Sequence, residues 1–557
     1  MGAQCSHTIS PAYPDFREYT RSGDDGDDRN RWLLDEGVPG VEDGTWSCPH
    51  EVVPGHDKCP FHLPVADRPP ELDVTAEFLH RIEASQEIDS RTAKRRKLQF
   101  IDATFESFDI AGETLDPGTN YGINLAHATL AGVDLTDTRV HQQIRFSHAT
   151  FEGASRFRNA QFSGFVGMRD AEFRGPARFR GATFERPVNI KHGTFHDDVY
   201  FWYTVFGRHA NFRDVDFQGY AYFRGVDFNN YVRFSQAQFH DEAFFKLGEF
   251  GDDADFINAQ FDGPHSFIDA EFERTTDFSG VTTSGPMDLS GATLETLEMT
   301  PDKIESDTQY VDLSGSLIEA GELGQPDQGA ILYDAHKATL GDVAVTTPRD
   351  EPVIEHIRMV STNFDGFEFE SDDMDPQAAG WRIHTVFDPS LLPGDKEETP
   401  SPAALRETYL KAKNGAKQVG NTASAGHFYY REMTYRRKHL GNLVRSGQGD
   451  GIRTGLAWMR NLTLNLVTGY GEYPLRVIGT SMGAVIGFAA LYDIIGATET
   501  SLAESILFSF QSFITFIVGS PPQGTTQAVA VISSLEGFVG AFFIALFVYA
   551  FTRRLDR

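Results

Sequence analysis

Apolar residues recur in alternate steps of five and six between Phe146 and Phe278, and this is the strongest pattern in the chain. All 25 positions on this beat are apolar, and 23 of them are Phe. A small or β-branched residue lies two positions before most of them, as at Ala149 and Val215. The spacing fits neither the 3.6-residue period of a helix nor the two-residue period of a strand. It therefore predicts a chain that turns a corner at every repeat.

A plain period of five flanks this block, running from Phe100 to Val140 with only Asn120 off the pattern and resuming from Leu289 to Ile304. The A-x-F-x-x wording of these units resembles the pentapeptide-repeat family. The resemblance implies a right-handed quadrilateral β-helix, with the Phe and the preceding Ala pointing inward. The stacked Phe side chains are then core residues and do not form a cofactor site.

The size of this β-helix can be calculated from the repeat. We assign it to residues 98–375, after an N-terminal region of residues 1–97 that is expected to be partly disordered. If four faces make one coil, two steps of eleven give 22 residues per coil and six coils over residues 146–278. At the spacing of adjacent strands these coils form a rod about 29 Å long.

The pattern changes after the repeats. Residues 376–402 are rich in Pro and acidic residues and are predicted to be a linker. Residues 403–440 have apolar positions at helical spacing with a break at Gly420 and Asn421, which predicts a helical hairpin that couples the linker to the C-terminal segments. Residues 441–476 are predicted to lie at a membrane interface.

Two long apolar segments lie within residues 477–557. Val477–Ile495 has no charge before Asp493, and Ala528–Phe551 contains only Glu536. Both lengths suit a hydrocarbon core of about 30 Å, so they are predicted to be transmembrane helices. Between them, residues 501–518 are short for a span and lead into Gly and Pro residues, which is typical of a re-entrant helix.

The run FSFQSFITFIVGSPPQG resembles the pore helix and filter of two-helix potassium channels, and LEGFVGAFFIALFVYAFTRR resembles their inner helix. The resemblance implies an all-α membrane pore module that assembles as a homotetramer in the lipid bilayer, with Glu536, Gly537 and Gly540 on the gating helix. The filter would lie in the segment after the pore helix, at Thr515, Phe516, Ile517, Val518, Gly519 and Ser520. The aromatic residue and second Gly of potassium filters are missing there, which argues against strict selectivity for potassium. The permeant ion that the resemblance implies is therefore K⁺ or another monovalent cation.

A TGYG string occurs at Thr468–Gly471, but it precedes the first span and cannot lie between the two. We interpret it as a turn after an interfacial helix. Arg residues precede the first span and follow the second, whereas the loop between them has none. This asymmetry predicts a cell-membrane protein with both termini in the cytoplasm.

The three Cys residues all lie before residue 60, close to several His residues. Three thiols and one imidazole would complete a closed tetrahedral zinc site without an open position for catalysis. The preferred ligands are Cys5, Cys48, Cys59 and His62, and His50 is the main substitute. The alternative is a set of free thiols in a poorly ordered segment.

The composition sets the remaining expectations. The chain has 80 acidic and 49 basic residues, a net charge of -31, which argues against a nucleic-acid partner. This Lys-poor, acidic composition resembles that of proteins from halophilic archaea. No phosphate loop, nucleophile triad or open metal site is present, so an enzyme is not expected. The leading hypothesis is a cation channel with a cytoplasmic regulatory β-helix. The alternative is a membrane-anchored scaffold, or a mimic of DNA, that conducts nothing.

Overall fold

The computed structural model describes residues 3–9, 41–42, 45–118, 121–349, 352–371, 373–388, 392, 399–495, 502–518 and 526–555. The disorder expected in the N-terminal region falls mainly on residues 10–40, outside these ranges, as do residues 389–391 and 393–398 of the predicted linker. The chain divides into two compact units. Unit 1 comprises residues 1–358 and 387–396, and unit 2 comprises residues 359–386 and 397–557.

Unit 1 is a β-solenoid of about 12 turns. Its parallel strands pair with a shift of 22 residues, as where Phe151 lies beside Phe173 and Val166 lies beside Val188. Four short strands make one coil, so the solenoid has four faces. This register confirms the 22-residue coil that the repeat predicted.

The strands of face 1 form a ten-stranded sheet: Thr104–Phe105, Thr129–Ala131, Thr150–Glu152, Glu172–Phe173, Thr194–Phe195, Asp216–Phe217, Gln238–Phe239, Gln260–Phe261, Thr282–Thr283 and Lys303–Ile304. Face 2 is a second ten-stranded sheet: Ser155–Arg156, Ala177–Arg178, Val199–Tyr200, Ala221–Tyr222, Ala243–Phe244, His265–Ser266, Met287–Asp288, Thr308–Asp312, Ala330–Asp334 and Ile357–Arg358.

Face 3 contains Thr114–Leu115, Arg139–Val140, Gln161–Phe162, Thr183–Phe184, Val205–Phe206, Asp227–Phe228, Glu249–Phe250, Glu271–Asp277, Thr293–Met299, Leu317–Gly324 and Thr339–Thr346. Face 4 contains Ile123–Asn124, Ile144–Arg145, Val166–Gly167, Val188–Asn189, Ala210–Asn211, Val232–Arg233 and Ala254–Asp255. From Glu271–Asp277 onward one longer strand covers both of these faces, because Phe272 continues face 3 and Thr276 pairs with Ala254 of face 4.

The core of the solenoid consists of the residues on the sequence beat. All 25 of them are buried, with at most 2% of their surface exposed. Successive coils stack ring on ring, as where the centroids of Phe223 and Phe245 lie 4.7 Å apart with an interplanar angle of 4°. The preceding small residues, such as Ala149 and Val215, are fully buried as well. The predicted core is therefore confirmed.

Every second corner places one residue in the left-handed region of φ. The turn is closed by a backbone hydrogen bond, as where the Ala149 N–H donates to the Phe146 carbonyl at 3.0 Å. Asp, Asn and Gly dominate because they tolerate this conformation. The left-handed positions recur every eleven residues at Asp137, His148, Asn159, Asp170, Gly181, His192, Tyr203, Asp214, Gly225, Gln236, Leu247, Asn258, Asp269, Gly280 and Gly291.

The N-terminal end of the solenoid is covered by a cap. The cap has strands Thr8–Ile9, Val41–Glu42 and Thr45–Ser47, helices α1 (Val74–Ala84) and α2 (Arg91–Lys97), and 3-10 turns Val65–Asp67 and Ser85–Glu87. Asp73 is the N-cap of helix α1, and its side chain accepts from two backbone N–H groups. Phe78 of α1 and Phe61 pack against Phe100 and Phe105 of the solenoid.

Unit 2 begins with residues 359–386, which contain strand Asn363–Phe364, and continues into six helices in the part that the structure describes. Helix α3 (Pro402–Gln418) is capped by Ser401, and α4 (Thr422–Ser446) is capped by Asn421. Helices α5 (Gly451–Thr468), α6 (Pro474–Ile494), α7 (Leu502–Val518) and α8 (Gln527–Leu555) complete the chain, with 3-10 turn Gly469–Gly471 between α5 and α6. A further 3-10 turn, Val353–His356, belongs to unit 1.

The buried imidazole of His265 predicts a pH-dependent stability of the solenoid. Desolvation lowers the pKa of His265 to about 4, below its ordinary value of about 6.5. Between these values the unfolded chain binds more protons than the folded chain, so the free energy of unfolding falls as the pH falls. At pH 5 this group alone removes about 2 kcal/mol of the stability present at pH 7.

We expect His265→Leu to flatten the pH dependence of unfolding in denaturant between pH 7 and 5. The exposed His196 provides the matched control, because His196→Leu removes an imidazole that is not buried. If the free energy of unfolding depends on pH equally in wild type and His265→Leu, the lowered pKa of His265 is contradicted.

Candidate functional site

Four buried side chains meet in the N-terminal cap, and their ligand atoms all lie within 4.8 Å of one another: Cys5, Cys48, Cys59 and His62. Cys48 Sγ lies 3.6 Å from Cys59 Sγ, and His62 Nδ1 lies 3.2 Å from Cys59 Sγ. In a tetrahedral zinc site with bonds of about 2.3 Å, ligand sulfurs are about 3.8 Å apart. The size and donor types of the cluster therefore fit such an ion.

Local backbone contacts bring these ligands together. The Cys5 N–H donates to the His50 carbonyl at 3.0 Å, which places Cys5 beside the segment that carries Cys48. A tight turn joins the other two ligands, because the His62 N–H donates to the Cys59 carbonyl at 3.1 Å. The Cys59 N–H also donates to Cys5 Sγ at 3.3 Å, as expected for a sulfur that carries negative charge.

The tautomer of His62 is set by the solenoid. His62 Nε2 lies 2.8 Å from the Ile101 carbonyl, so it carries the proton and leaves Nδ1 free to face the thiols. A backbone carbonyl in this position is the usual partner behind a metal-binding histidine.

The three thiols cannot all ionise unless a cation neutralises them. Hydrogen bonds from Cys48 and Cys59 hold the pKa of Cys5 far below its usual range. The contact with Cys5 and the burial of the site raise the pKa of Cys48 far above it. Such opposite shifts in one cluster indicate groups that compete for a single negative charge.

The other candidate histidines have different contacts. His50 is buried, but its Nε2 lies 2.9 Å from the Gln99 carbonyl and its ring stacks on Phe100, so it is not one of the four grouped ligands. His7 stacks on His62 with centroids 4.0 Å apart and pairs with Asp102. His56 is exposed.

Among the described residues of unit 2, two helices are long and apolar enough to cross a membrane, Pro474–Ile494 in α6 and Gln527–Thr552 in α8. Their mean hydropathies are 1.6 and 2.1. The shorter α7 packs against both of them. Three Ser residues at helical spacing, Ser505, Ser509 and Ser512, are fully buried on the inner side of α7.

A buried carboxylate joins these three helices. Glu536 of α8 has none of its surface exposed. Tyr492 of α6 donates to Glu536 Oε2 at 2.7 Å, and Ser509 of α7 donates to Glu536 Oε1. Glu536 was selected from the sequence, but its two hydrogen-bond partners were not predicted. The i, i+4, i+7 spacing of the serines in α7 could have indicated a polar side of that helix facing Glu536.

Helices α7 and α8 touch backbone to backbone at Gly540. A Cβ atom at this position would lie 1.9 Å from the Phe513 carbonyl oxygen, whereas at Gly537 it would lie 3.4 Å from the Ser512 oxygen. Of the two glycines that the sequence selected as flexible or close-packing points, Gly540 is therefore the tighter contact.

The expected filter lies at the end of α7. The helix continues through Val518, so Thr515, Phe516, Ile517 and Val518 have helical backbone, which differs from the extended carbonyl ladder of a potassium filter. Their side chains, and all of Gly519 and Ser520, are outside the described residues.

The TGYG string is the junction of three helices. The buried Tyr470 hydroxyl donates to Asn461 Oδ1 of α5 at 2.7 Å and accepts from Arg437 of α4 at 3.1 Å. At the start of α6, Arg476 lies over the rings of Tyr473 and Tyr430, at 4.7 and 5.6 Å from their centroids. Only the turn was predicted here, because a sequence does not reveal which side chains meet.

The geometry thus defines a β-solenoid protein with a C-terminal group of helices, two of which are candidates to span a membrane. Residues 125–172, 169–216 and 201–246 match the family of pentapeptide repeats (9 copies). These residues lie in the coils described above, so this part of the chain is a pentapeptide-repeat β-solenoid. No curated protein and no solved structure matches the chain.

Proposed function

We propose that the protein is a subunit of a membrane cation channel whose pentapeptide-repeat solenoid is a cytoplasmic regulatory domain. The observation that supports this most directly is the short helix α7, held between two candidate spans by the buried carboxylate of Glu536. A passive anchor requires two spans but no third, short helix with a polar inner side. Ionisable groups buried within membrane helices are expensive and are usually retained for function.

One hairpin of spans cannot enclose a pore, so the proposal requires several copies. A homotetramer with K⁺ or another monovalent cation as permeant ion follows from the resemblance to two-helix channels. The charge asymmetry around the spans supports cytoplasmic termini.

The Tyr470 junction supplies the coupling in this proposal. Because Tyr470 bonds to α4 and α5 and lies four residues before Pro474, a displacement of α4 is transmitted to the first candidate span. In this proposal, the stimulus that displaces α4 acts on another part of the cytoplasmic region.

For the cap we propose a structural zinc ion held by Cys5, Cys48, Cys59 and His62. The ion supplies positive charge that allows all three thiols to ionise. The four residues fill a tetrahedral shell, so the site holds the cap in place and carries out no reaction.

Cation flux into proteoliposomes tests the channel. We expect full-length protein to conduct K⁺ or Na⁺, and Gly519→Pro to reduce the flux at least about tenfold because it alters the segment where channels place their filter. Gly455→Ala in α5 is the control, since a Cβ there meets nothing within 4 Å. A monomer in mild detergent, or flux that Gly519→Pro leaves unchanged, would refute the proposal and favour a membrane-anchored scaffold.

A further inference from the structure

Face 2 of the solenoid carries a patch whose chemistry differs from that of the rest of the chain. The patch consists of the outward side chains of the strands from Ser155–Arg156 to Ala243–Phe244 and of the corner after each strand. Six basic residues lie on it: Arg156, Arg158, Arg178, Arg180, Arg224 and Lys246. Asp134, Asp198, Asp241 and Glu242 are acidic residues at its edge, in a chain with a net charge of -31.

Most of these basic groups have no carboxylate partner. Arg158, Arg178, Arg180, Arg224 and Lys246 form no ion pair with any residue for which the structure gives a position. On face 1, by contrast, Arg174 pairs with Glu152 and Glu172. The positive charge of the patch is therefore available to a partner.

The centre of the patch is aromatic. Tyr200, Tyr222 and Phe244 stack along the solenoid with centroid distances of 4.9 and 5.1 Å, and Trp202 lies against the first two. The corresponding outward positions on the other faces carry no aromatic residue: Thr150, Glu172, Thr194, Asp216 and Gln238 on face 1, Gln161, Thr183, Val205, Asp227 and Glu249 on face 3, and Arg145, Gly167, Asn189, Asn211 and Arg233 on face 4.

Two large residues at the corners of this patch occupy unfavourable backbone. Tyr203 has a φ of 55° and Leu247 a φ of 57°, where other coils have Asn, Asp or Gly. Their exposed fractions are 53% and 42%, so burial does not offset the strain. Exposed apolar side chains held in strained positions are characteristic of binding surfaces.

The orientation of the rings selects the kind of partner. Tyr222 is covered on both faces by Tyr200 and Phe244, with interplanar angles of 9° and 6°, and Arg178 lies over the Tyr200 ring, so these two tyrosines present ring edges to solvent. Ring edges carry partial positive charge and attract carboxylates, whereas nucleobases require open ring faces. The patch extends over five coils, about 19 Å, which matches about six extended residues of a peptide.

We propose that the face 2 patch binds an acidic polypeptide segment of a partner protein. Carboxylates of the segment pair with the free Arg and Lys groups at the rim, and its backbone lies along the aromatic ridge. Trp, Tyr and Arg are the residues that contribute most to protein interfaces. The rest of the solenoid repels a longer polyanion, which restricts binding to this face. This inference does not depend on ion conduction.

Fluorescence anisotropy of labelled oligopeptides on full-length protein in detergent micelles tests the proposal. We expect oligoglutamate to bind at about 50 mM salt and oligoglutamine of the same length not to bind. The double variant Arg180→Glu/Arg224→Glu should weaken oligoglutamate binding at least about tenfold. Tyr222→Ser should also weaken it, and the fold should accept this change because Ser266 occupies the same register two coils away.

The control variant is Arg186→Glu/Arg208→Glu, which makes the same charge change at two exposed arginines outside the patch. Three results would overturn the proposal. These are no binding of oligoglutamate, an equal loss of binding in the control variant, and tighter binding of oligothymidine that depends on Arg180 and Arg224. The last result would show that the patch recognises nucleic acid instead.

Discussion

Gly540→Ala is expected to prevent α7 and α8 from packing together. The added Cβ would lie 1.9 Å from the Phe513 oxygen and 2.9 Å from its carbonyl carbon, so the obstacle is backbone and cannot rotate away. Separating the helices also removes Ser509 from Glu536. Overpacking against a side chain costs about 1–3 kcal/mol, and we expect about 3 kcal/mol or more here, larger than the gain in helix propensity from Gly to Ala.

Two other glycines, Gly537 of α8 and Gly483 of α6, serve as controls for this result. Gly537→Ala brings Cβ to 3.4 Å from the Ser512 oxygen and should have a small effect, whereas at Gly483 of α6 a Cβ meets nothing within 4 Å. Thermal unfolding in detergent and protease accessibility of the α7 segment measure the effect. The loss of stability should be largest for Gly540→Ala, smaller for Gly537→Ala and smallest for Gly483→Ala. Equal stability of the Gly540 and Gly483 variants would show that α7 does not pack on α8 in this way.

The second large effect concerns the zinc ion proposed for the cap. Cys48→Ser should remove one bound zinc per chain and unfold the cap, because structural zinc sites contribute on the order of 10 kcal/mol to folding. Elemental analysis of the purified protein measures the metal, and chelator-dependent thermal unfolding measures the stability. Both should change together in the variant.

Variants of two histidines test which residues bind the proposed zinc ion. His56→Ala, at an exposed position outside the cluster, should leave zinc content and stability unchanged. His50→Ala should lower stability through the lost contact with Phe100 but keep the zinc. Loss of zinc in the His50 variant would make His50 a ligand, and zinc-free wild-type protein of full stability would refute the site.

The sequence was most informative where one physical constraint repeats. The beat from Phe146 to Phe278 specified the coil length and the core, because each inward position must fill the same space in every coil. The left-handed corner every eleven residues was not predicted, although Asn159 and Asp170 are typical of such turns. The corner residues vary too much, from Gly to Tyr and Leu, to form a visible pattern.

Contacts between distant residues were the part that the sequence could not supply. The clustering of Cys and His residues indicated a metal site, but only the fold separates His50 from the other candidates. Likewise, the TGYG string suggested a turn, whereas the bonds of Tyr470 to α4 and α5 depend on how three helices pack. The face 2 patch was not predicted, because equivalent residues are 22 positions apart in the sequence and the net charge of the whole chain is strongly negative.

The cap also determines where the solenoid stops. Its Phe61 carbonyl accepts a hydrogen bond from the Thr104 N–H at 2.9 Å and so occupies the place that a preceding coil would take. A solenoid end without such a cover is an open sheet edge that pairs with other chains. The cap therefore covers an edge that could otherwise pair with a second chain, and we expect loss of the proposed zinc ion to promote end-to-end association of the solenoid.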